Sequence, residues 1–255
     1  MKYFRGNRMA DVKKAKVLWT KPVQDDVCYM SCAMLEPAAL GFKGGQYIIV
    51  NSGKLLANGK LGKRAYSILS PDSQQQQFEL AVKRIPDGIG SGFLHDLKPG
   101  DSFEFSGPWG KYHAEETALD QGALCIATDT GITAALGVLR GQAMQFAGGR
   151  SKFIWFVSSP DYFVPQDMVK AWFPSVLPVF CPGVEEAARI EFIVEHVRPL
   201  MADYLFSKIY LSGDGLVLRK LKEMFLAKAQ YTPEQVCVES FFHHESLKTA
   251  VSAKV

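Results

Sequence analysis

The rest of the chain is organised around Arg64-Ala65-Tyr66-Ser67-Ile68-Leu69-Ser70, a short extended run that carries one cation, one aromatic ring and two hydroxyls. In a strand, Arg64 and Tyr66 point to one face, and Ser67 lies beside the ring along the backbone. Arg can pair with a phosphate, a Tyr ring can lie on a flat ring system, and a Ser hydroxyl can reach a ring nitrogen. These residues are suited to a flavin, but they also fit an ordinary edge strand with a polar face.

The bulk composition is that of a soluble globular protein. The chain has 255 residues, of which 47% are hydrophobic and 22% are charged, and this length suits one large domain or two of ordinary size. No apolar run reaches the roughly 18 residues of a transmembrane helix. The basic N-terminus lacks the apolar segment of a secretory signal. We therefore expect a soluble, cytoplasmic protein with no membrane contact.

Net charge and cysteine usage exclude two classes of site. A net charge of +3 is too small to predict binding to nucleic acid. The five cysteines are scattered among apolar runs, as is typical of buried free thiols in a reducing compartment. Cys28 and Cys32 alone cannot complete a metal or iron-sulfur site, which takes about four ligands. We expect no metal centre.

The first half of the chain reads as short strands separated by turn residues, interrupted by one short helix at Ser91–Leu97. Six strands at this spacing predict a small antiparallel β-barrel or sandwich. The predicted strands are Val12–Thr20, Asp26–Met34, Tyr47–Asn51, Arg64–Ser70, Phe78–Arg84 and Ser102–Ser106.

In the second half, apolar strands alternate with helices, and this alternation predicts a doubly wound parallel sheet. The first units are a strand at Ala123–Ala127 and a helix at Thr133–Phe146. We place the domain boundary between residues 116 and 117, which gives a flavin-binding barrel domain (1–116) and a nucleotide-binding α/β domain (117–255). A ligand of the second domain would lie at the carboxyl ends of its strands, in the crevice facing Arg64–Ser67.

Four motifs, in this order, resemble the ferredoxin-NADP reductase family of flavoprotein oxidoreductases. Arg64-Ala65-Tyr66-Ser67 is similar to the family's flavin signature, and Gly88-Ile89-Gly90-Ser91 to its glycine turn before a helix. Gly107-Pro108-Trp109-Gly110 is similar to the turn that closes the barrel, with Trp for Phe, and Thr130-Gly131-Ile132-Thr133 to the nucleotide loop. The resemblance covers the chain from about residue 12 to residue 242.

The resemblance implies roles for residues of the first domain. Arg64 would bind the flavin phosphate, Tyr66 would stack on the isoalloxazine, and Ser67 with the backbone of Ile68 would hold the ring near N5. The turn residues Gly88, Gly90 and Ser91 would offer backbone amides to an anion. The flavin would be FAD, and FMN remains an alternative.

The resemblance also implies roles in the second domain. Ser212 stands where the family commonly has a Cys facing the hydride, and Glu239 would donate or orient a proton near N5. The residues expected to bind the pyridine nucleotide follow two of the strands, and they are Thr130, Gly131, Thr133 and Gly213.

The second domain departs from the family pattern. Asp129 replaces a Gly and Asp214 a Pro, so two carboxylates stand where an anionic dinucleotide is expected to lie, which is unfavourable unless they turn away or meet a cation. The loop Val157-Ser158-Ser159-Pro160-Asp161-Tyr162 leaves NADP and NAD both open as cosubstrate. Arg150, Lys152 and Lys208 are other candidate cations for a 2′-phosphate.

The resemblance therefore predicts an oxidoreductase that takes a hydride from NAD(P)H onto FAD and passes electrons to a separate carrier such as ferredoxin or flavodoxin. Two alternatives stay open. One is a module of the same fold that no longer oxidises NAD(P)H, and the other is a reductase for ferric chelates.

Overall fold

The structure is a computed structural model that describes residues 11–115, 122–145, 151–159, 162–174, 176–181, 185–227 and 230–242. It contains an antiparallel sheet of six strands and a parallel sheet of five. The expected boundary between residues 116 and 117 lies outside the described residues, so the domain limits stay a prediction.

The antiparallel sheet contains the six strands that the sequence predicted in its first half. In the order β4-β3-β6-β1-β2-β5, each neighbouring pair is antiparallel. The strands are β1 (Lys13–Gln24), β2 (Val27–Glu36), β3 (Tyr47–Leu55), β4 (Leu61–Ser67), β5 (Gln77–Lys83) and β6 (Ser102–Trp109).

The antiparallel sheet curls around an aromatic core. The rings of Phe103 and Phe105 both pack edge-on against Phe78, with centroids 6.5 and 5.5 Å away. Just past β4, the N–H of Leu69 donates to the carbonyl of Glu79 in β5 at 2.9 Å, so the two edge strands approach each other. Helix α1 (Ile89–Asp96) follows β5, close to the predicted helix.

The parallel sheet confirms the predicted α/β half. Its order is β11-β10-β7-β8-β9, with helices packed on both faces in two separate apolar clusters. Its strands are β7 (Ala123–Thr128), β8 (Lys152–Val157), β9 (Val176–Phe180), β10 (Lys208–Asp214) and β11 (Val236–Phe242). Its helices are α2 (Ile132–Arg140), α3 (Gln142–Gln145), α4 (Gln166–Trp172), α5 (Glu186–Asp203) and α6 (Gly215–Ala227).

One predicted helix is divided. The sequence predicted a single helix from Thr133 to Phe146, whereas α2 ends at Arg140 and Gly141 is extended, with φ −68° and ψ 149°. A Cβ on Gly141 would lie 3.4 Å from the Cα of Gly44, so this residue packs against the loop before β3. Phe146 lies outside the described residues.

The two sheets are joined by contacts between main chains. A Cβ on Gly137 of α2 would lie 2.5 Å from the carbonyl oxygen of Ile68 and 2.8 Å from the nitrogen of Gly45. Arg140, one turn further on, donates to the carbonyl of Leu69 at 2.9 Å and to Glu79 at 3.3 Å. The end of β4 is therefore held directly against α2.

Cysteine burial agrees with the sequence. The five cysteines are free, and all but the half-buried Cys237 are buried. Burial raises the pKa of the Cys32 thiol to about 12, which keeps it protonated at neutral pH. Within the described ranges, no helix has both the length and the apolar character needed to cross a bilayer.

Replacing Gly137 by Ala should destabilise the protein, because the new Cβ meets backbone atoms on both sides that cannot rotate away. We expect a loss of about 1–3 kcal/mol in the free energy of unfolding, as is usual for overpacking. The matched control is Gly92→Ala in α1, whose Cβ would meet nothing within 4 Å, and which should gain about 0.5–1 kcal/mol. Chemical denaturation measures both, and equal effects of the two substitutions would contradict the close contact.

Candidate functional site

β4 presents a row of side chains whose exposure falls along the strand. Arg64 is exposed, Tyr66 is half-buried, and Ser67 and Ile68 are buried. The guanidinium of Arg64 donates from Nη1 to the carbonyl of Lys63 at 2.8 Å, which holds it at the surface of the strand. The strand therefore carries an accessible cation beside a partly covered aromatic ring.

The first turn of α1 lies against this row. A Cβ on Gly90 would lie 2.7 Å from both the Tyr66 hydroxyl and the Cγ of Arg64. Only a glycine lets the helix approach these two side chains so closely. The structure thus brings together Arg64, Tyr66 and Gly90, which the sequence assigned to one site.

Ser91 has a supporting position in the same turn. Its hydroxyl accepts a hydrogen bond from the N–H of Ile85 at 3.0 Å and donates to the carbonyl of Gly88 at 3.4 Å. The side chain is buried and holds the turn that begins α1. The expected role of Gly88, Gly90 and Ser91 in anion binding therefore falls on their backbone, and it stays a prediction.

The Tyr66 phenol stays neutral. Burial raises the pKa of Tyr66 to about 12, and the positive charge of Arg64 opposes that rise. At neutral pH the side chain is a neutral ring with a proton to donate, which suits it to cover a flat ligand.

Glu239 reaches from the parallel sheet towards the antiparallel one. It pairs with Ser212 across β11 and β10, and its Oε2 would lie 3.9 Å from a Cβ on Gly110, at the turn that ends β6. Burial raises the pKa of Glu239, and the pKa of Tyr47 is raised by burial and by the charge of Glu239. The carboxyl therefore lies between the sheets and binds its proton more tightly than a solvated Glu.

The loops after β7 and β10 are packed into one unit. The Ser212 hydroxyl donates to the carbonyl of Gly131 at 2.9 Å, and the N–H of Asp214 donates to the Thr128 hydroxyl at 2.8 Å. A Cβ on Gly131 would overlap the Ser212 carbonyl, and one on Gly213, whose φ is 124°, would overlap Thr128. Ser212 is fully buried, and its hydroxyl joins the two loops.

The loop from β7 into α2 is a single 3-10 turn, Asp129–Gly131, that runs directly into the helix. The hydroxyl of Thr133 donates back to the carbonyl of Thr130 at 3.0 Å. This bond stabilises the turn, and the predicted role of the two threonines in nucleotide binding stays a prediction.

Both carboxylates that depart from the family pattern meet a cation. Arg189 of α5 donates from Nη2 to Oδ2 of Asp129 in a short hydrogen bond, and its Nη1 lies 3.8 Å from Oδ2 of Asp214. The side chains of Arg189, Asp129 and Asp214 are only 12%, 8% and 1% exposed. Burial alone would lower the pKa of Arg189, but the charge and hydrogen bond of Asp129, with Asp214, raise it. We call these three residues the Arg189 bridge.

The backbone at Asp129 explains why a glycine is usual there. Its φ is 51°, in the left-handed region that favours glycine and tolerates Asp. The indole N–H of Trp155 donates to its carbonyl at 3.0 Å, so this conformation is fixed from the neighbouring strand.

Sequence reasoning did not identify Arg189. It lies 60 residues from Asp129 in the sequence, on a helix in which we recognised no binding motif. Two of the cations named as candidates for a 2′-phosphate, Lys152 and Lys208, begin β8 and β10 and so lie at the opposite, amino-terminal edge of the sheet. Arg150 and Asp161 lie outside the described residues.

Comparison with known proteins relates the chain to flavoprotein reductases. Residues 14–114 match the family described as the oxidoreductase FAD-binding domain. The chain is 31% identical over 148 residues to ferredoxin–NADP reductase B of Sorangium cellulosum, covering 58% of each chain. It is 30% identical over 208 residues to the glycine betaine monooxygenase reductase subunit of Chromohalobacter salexigens, covering 77% of this chain and 55% of the relative. The chain thus spans little more than half the length of these curated relatives.

A solved structure shows the same fold. The ferredoxin NADP⁺ reductase from Neisseria gonorrhoeae, with bound FAD and NADP, superposes with a TM-score of 0.72 at 18% identity and covers 91% of this chain and 100% of that one. The two proteins therefore share the arrangement of an antiparallel sheet followed by a parallel sheet with helices.

The residues of β4 and α1 fit FAD. An exposed guanidinium is available for a phosphate and a neutral Tyr ring for the isoalloxazine, and the first turn of α1 packs against both at Gly90. We therefore propose that FAD binds along β4, with Arg64, Tyr66, Ser67 and Ile68 as its ligands.

Replacing Arg64 by Gln should weaken FAD binding by about 10- to 100-fold, the usual value of a charge-assisted hydrogen bond. Lys63→Gln is the matched control, because it removes one positive charge from the adjacent residue, which points to the other face of β4. Titration of the apoprotein with FAD, followed by flavin fluorescence, measures both affinities. Equal losses in the two variants would show that only net charge matters.

The raised pKa of Glu239 predicts a pH-dependent stability. The folded state holds this proton more tightly than the unfolded chain, so ionisation of Glu239 destabilises the fold as pH rises. Glu239→Gln should therefore raise the thermal midpoint at about pH 8, and this gain should disappear by about pH 3, below the ordinary pKa range of Glu. Glu234, whose pKa is lowered by backbone and Thr232 hydrogen bonds, is the control, and Glu234→Gln should not raise the midpoint at either pH. An equal gain for Glu239→Gln at both pH values would contradict the assignment.

Proposed function

We propose that this chain, a ferredoxin-NADP reductase-like flavoprotein, is an FAD-dependent oxidoreductase that takes a hydride from NADPH or NADH and passes electrons to a separate carrier protein. The observation that carries the proposal is the juxtaposition of Arg64 and Tyr66 on β4 with Gly90 on α1, within the residues that match an FAD-binding domain. Glu239 of the parallel sheet approaches Gly110, at the turn that ends β6.

Bound flavin supplies the redox chemistry, because it accepts a hydride and releases electrons singly or in pairs. The residues of the chain would position the flavin. Arg64 binds the phosphate, Tyr66 covers one face of the ring, and the backbone at Ser67 and Ile68 holds its edge. Glu239, with its raised pKa, holds a proton in the crevice near neutral pH more readily than a solvated Glu.

Ser212 contributes through the loops and not through an exposed hydroxyl. Its side chain is fully buried and donates to Gly131, so it positions the Gly131 and Gly213 turns that border the crevice. The coenzyme would bind along these turns, with its nicotinamide towards the flavin.

The acceptor we propose is a ferredoxin or flavodoxin-like protein. Similar proteins include a ferredoxin–NADP reductase and the reductase subunit of a monooxygenase, and both names favour a protein acceptor. The Arg189 bridge favours a second candidate function, a flavin-binding module that does not oxidise NAD(P)H, because two carboxylates lie at the nucleotide crevice.

Anaerobic titration separates the two functions. The purified protein should be yellow, mass spectrometry of its released flavin should give FAD, and about one equivalent of NADPH or NADH should bleach it. Reduced protein should then reduce added ferredoxin or flavodoxin, as followed by the carrier's absorbance. Yellow protein that dithionite bleaches but neither coenzyme reduces would exclude the reductase and leave the flavin-binding module.

A further inference from the structure

The Arg189 bridge lies at the topological switch point of the parallel sheet. The chain runs from β7 to β8 and β9 on one side, and then returns to β10 on the other side of β7. Ligands of such sheets bind outside the carboxyl ends of the strands on either side of this switch. Asp129 follows β7 directly and Asp214 ends β10, so Arg189 joins the two strands at the place where a nucleotide is expected.

In the structure, the Arg189 bridge is electrostatically unfavourable for binding a dinucleotide. It contributes two negative charges and one positive charge, so its net charge repels a pyrophosphate. The guanidinium is directed at the two carboxylates and is only 12% exposed, so it offers little of its charge to the crevice. A coenzyme can use this cation only if the carboxylates release it.

The guanidinium can exchange carboxylate partners for phosphate partners. A guanidinium binds carboxylate and phosphate oxygens with the same planar, bidentate geometry. A pyrophosphate bridge carries two negative charges, the same number as Asp129 and Asp214 together. Moving Arg189 to the phosphates keeps the cation paired but takes it away from two buried carboxylates, so the exchange reduces the free energy gained on coenzyme binding.

The surrounding contacts hold the loops in place during such an exchange. Oδ1 of Asp214 accepts the N–H of Leu216 at 2.9 Å, so this carboxylate keeps a hydrogen bond at the start of α6 without Arg189. The Asp129 carbonyl is held by Trp155, so the backbone of its loop stays fixed while its side chain turns. These contacts hold the backbone of both loops while the side chains of Arg189 and Asp129 move.

We propose that Arg189 binds the pyrophosphate of the pyridine nucleotide in this chain, and that Asp129 and Asp214 compete with the coenzyme for its guanidinium. This inference rests on the proposed function, since it concerns the coenzyme of that reaction. Coenzyme affinity is then set by an internal competition, and removing the competing charges strengthens binding.

The test is equilibrium binding of oxidised coenzyme, NADP⁺ and NAD⁺ in turn, to the FAD-loaded protein by isothermal titration calorimetry. The double variant Asp129→Asn/Asp214→Asn keeps the size of both side chains and removes both charges. It should bind the preferred coenzyme at least about tenfold more tightly than wild type. Adding Arg189→Gln to this variant should abolish the gain, and Arg189→Gln alone should weaken binding.

Two results would overturn the proposal. An affinity that is unchanged or lower in the double variant would show that the carboxylates do not compete. A gain that persists in the triple variant would show that the carboxylates repel the coenzyme without any contact from Arg189. If the double variant does not fold, the single variants Asp129→Asn and Asp214→Asn test the proposal. Each should give a smaller gain in coenzyme affinity, and adding Arg189→Gln should remove that gain.

The control for charge is Glu195→Gln, which removes the carboxylate of an exposed ion pair on the same helix α5, Arg198 and Glu195, at 3.3 Å. It should leave coenzyme affinity unchanged. Because oxidised coenzyme binds without reaction, this result is separate from flavin reduction. If NADPH bleaches the protein but the variants do not show the predicted coenzyme affinities, the proposed function stands and this inference is wrong. If the double variant binds coenzyme more tightly but neither coenzyme bleaches the protein, this inference stands and the proposed function is wrong.

Discussion

The contact between the main chains of α2 and the antiparallel sheet determines how the rest of the site is arranged. Gly137 packs against the carbonyl of Ile68 and the nitrogen of Gly45 with no side chain between them. Arg140 adds a hydrogen bond to the carbonyl of Leu69. Because Ile68 directly follows β4, this contact fixes the position of Arg64 and Tyr66 relative to the carboxyl edge of the parallel sheet.

Features that depend on local spacing could be predicted from the sequence. The short strand-like runs separated by turn residues in the first half predicted all six antiparallel strands, and the apolar strands alternating with helices predicted the parallel sheet. The resemblance of two motifs to those of a known family assigned Arg64, Tyr66 and Gly90 to one site, and the structure brings these three residues together. Local sequence patterns therefore predicted the strands of the first half, and the motif resemblance predicted its candidate site.

Features that depend on distant contacts could not be predicted. The carboxylates of Asp129 and Asp214 were expected to turn away from a dinucleotide or to meet a cation. Nothing in the sequence identified Arg189 as that cation, since the pairing depends on where α5 crosses the sheet. Ser212 was likewise predicted from its motif position to face the hydride. Its burial against Gly131 follows from the close packing of two loops that are far apart in sequence.

Charge balance at the switch point links the two halves of this protein. In the proposed function, coenzyme can reduce a flavin on β4 only if its pyrophosphate can bind beside Asp129 and Asp214. The most direct measurement is a crystal structure of the FAD-loaded protein with oxidised coenzyme bound. We predict that the guanidinium of Arg189 will lie within hydrogen-bonding distance of the pyrophosphate, with Asp129 turned away. A bound coenzyme with Arg189 still paired to Asp129 would contradict the exchange.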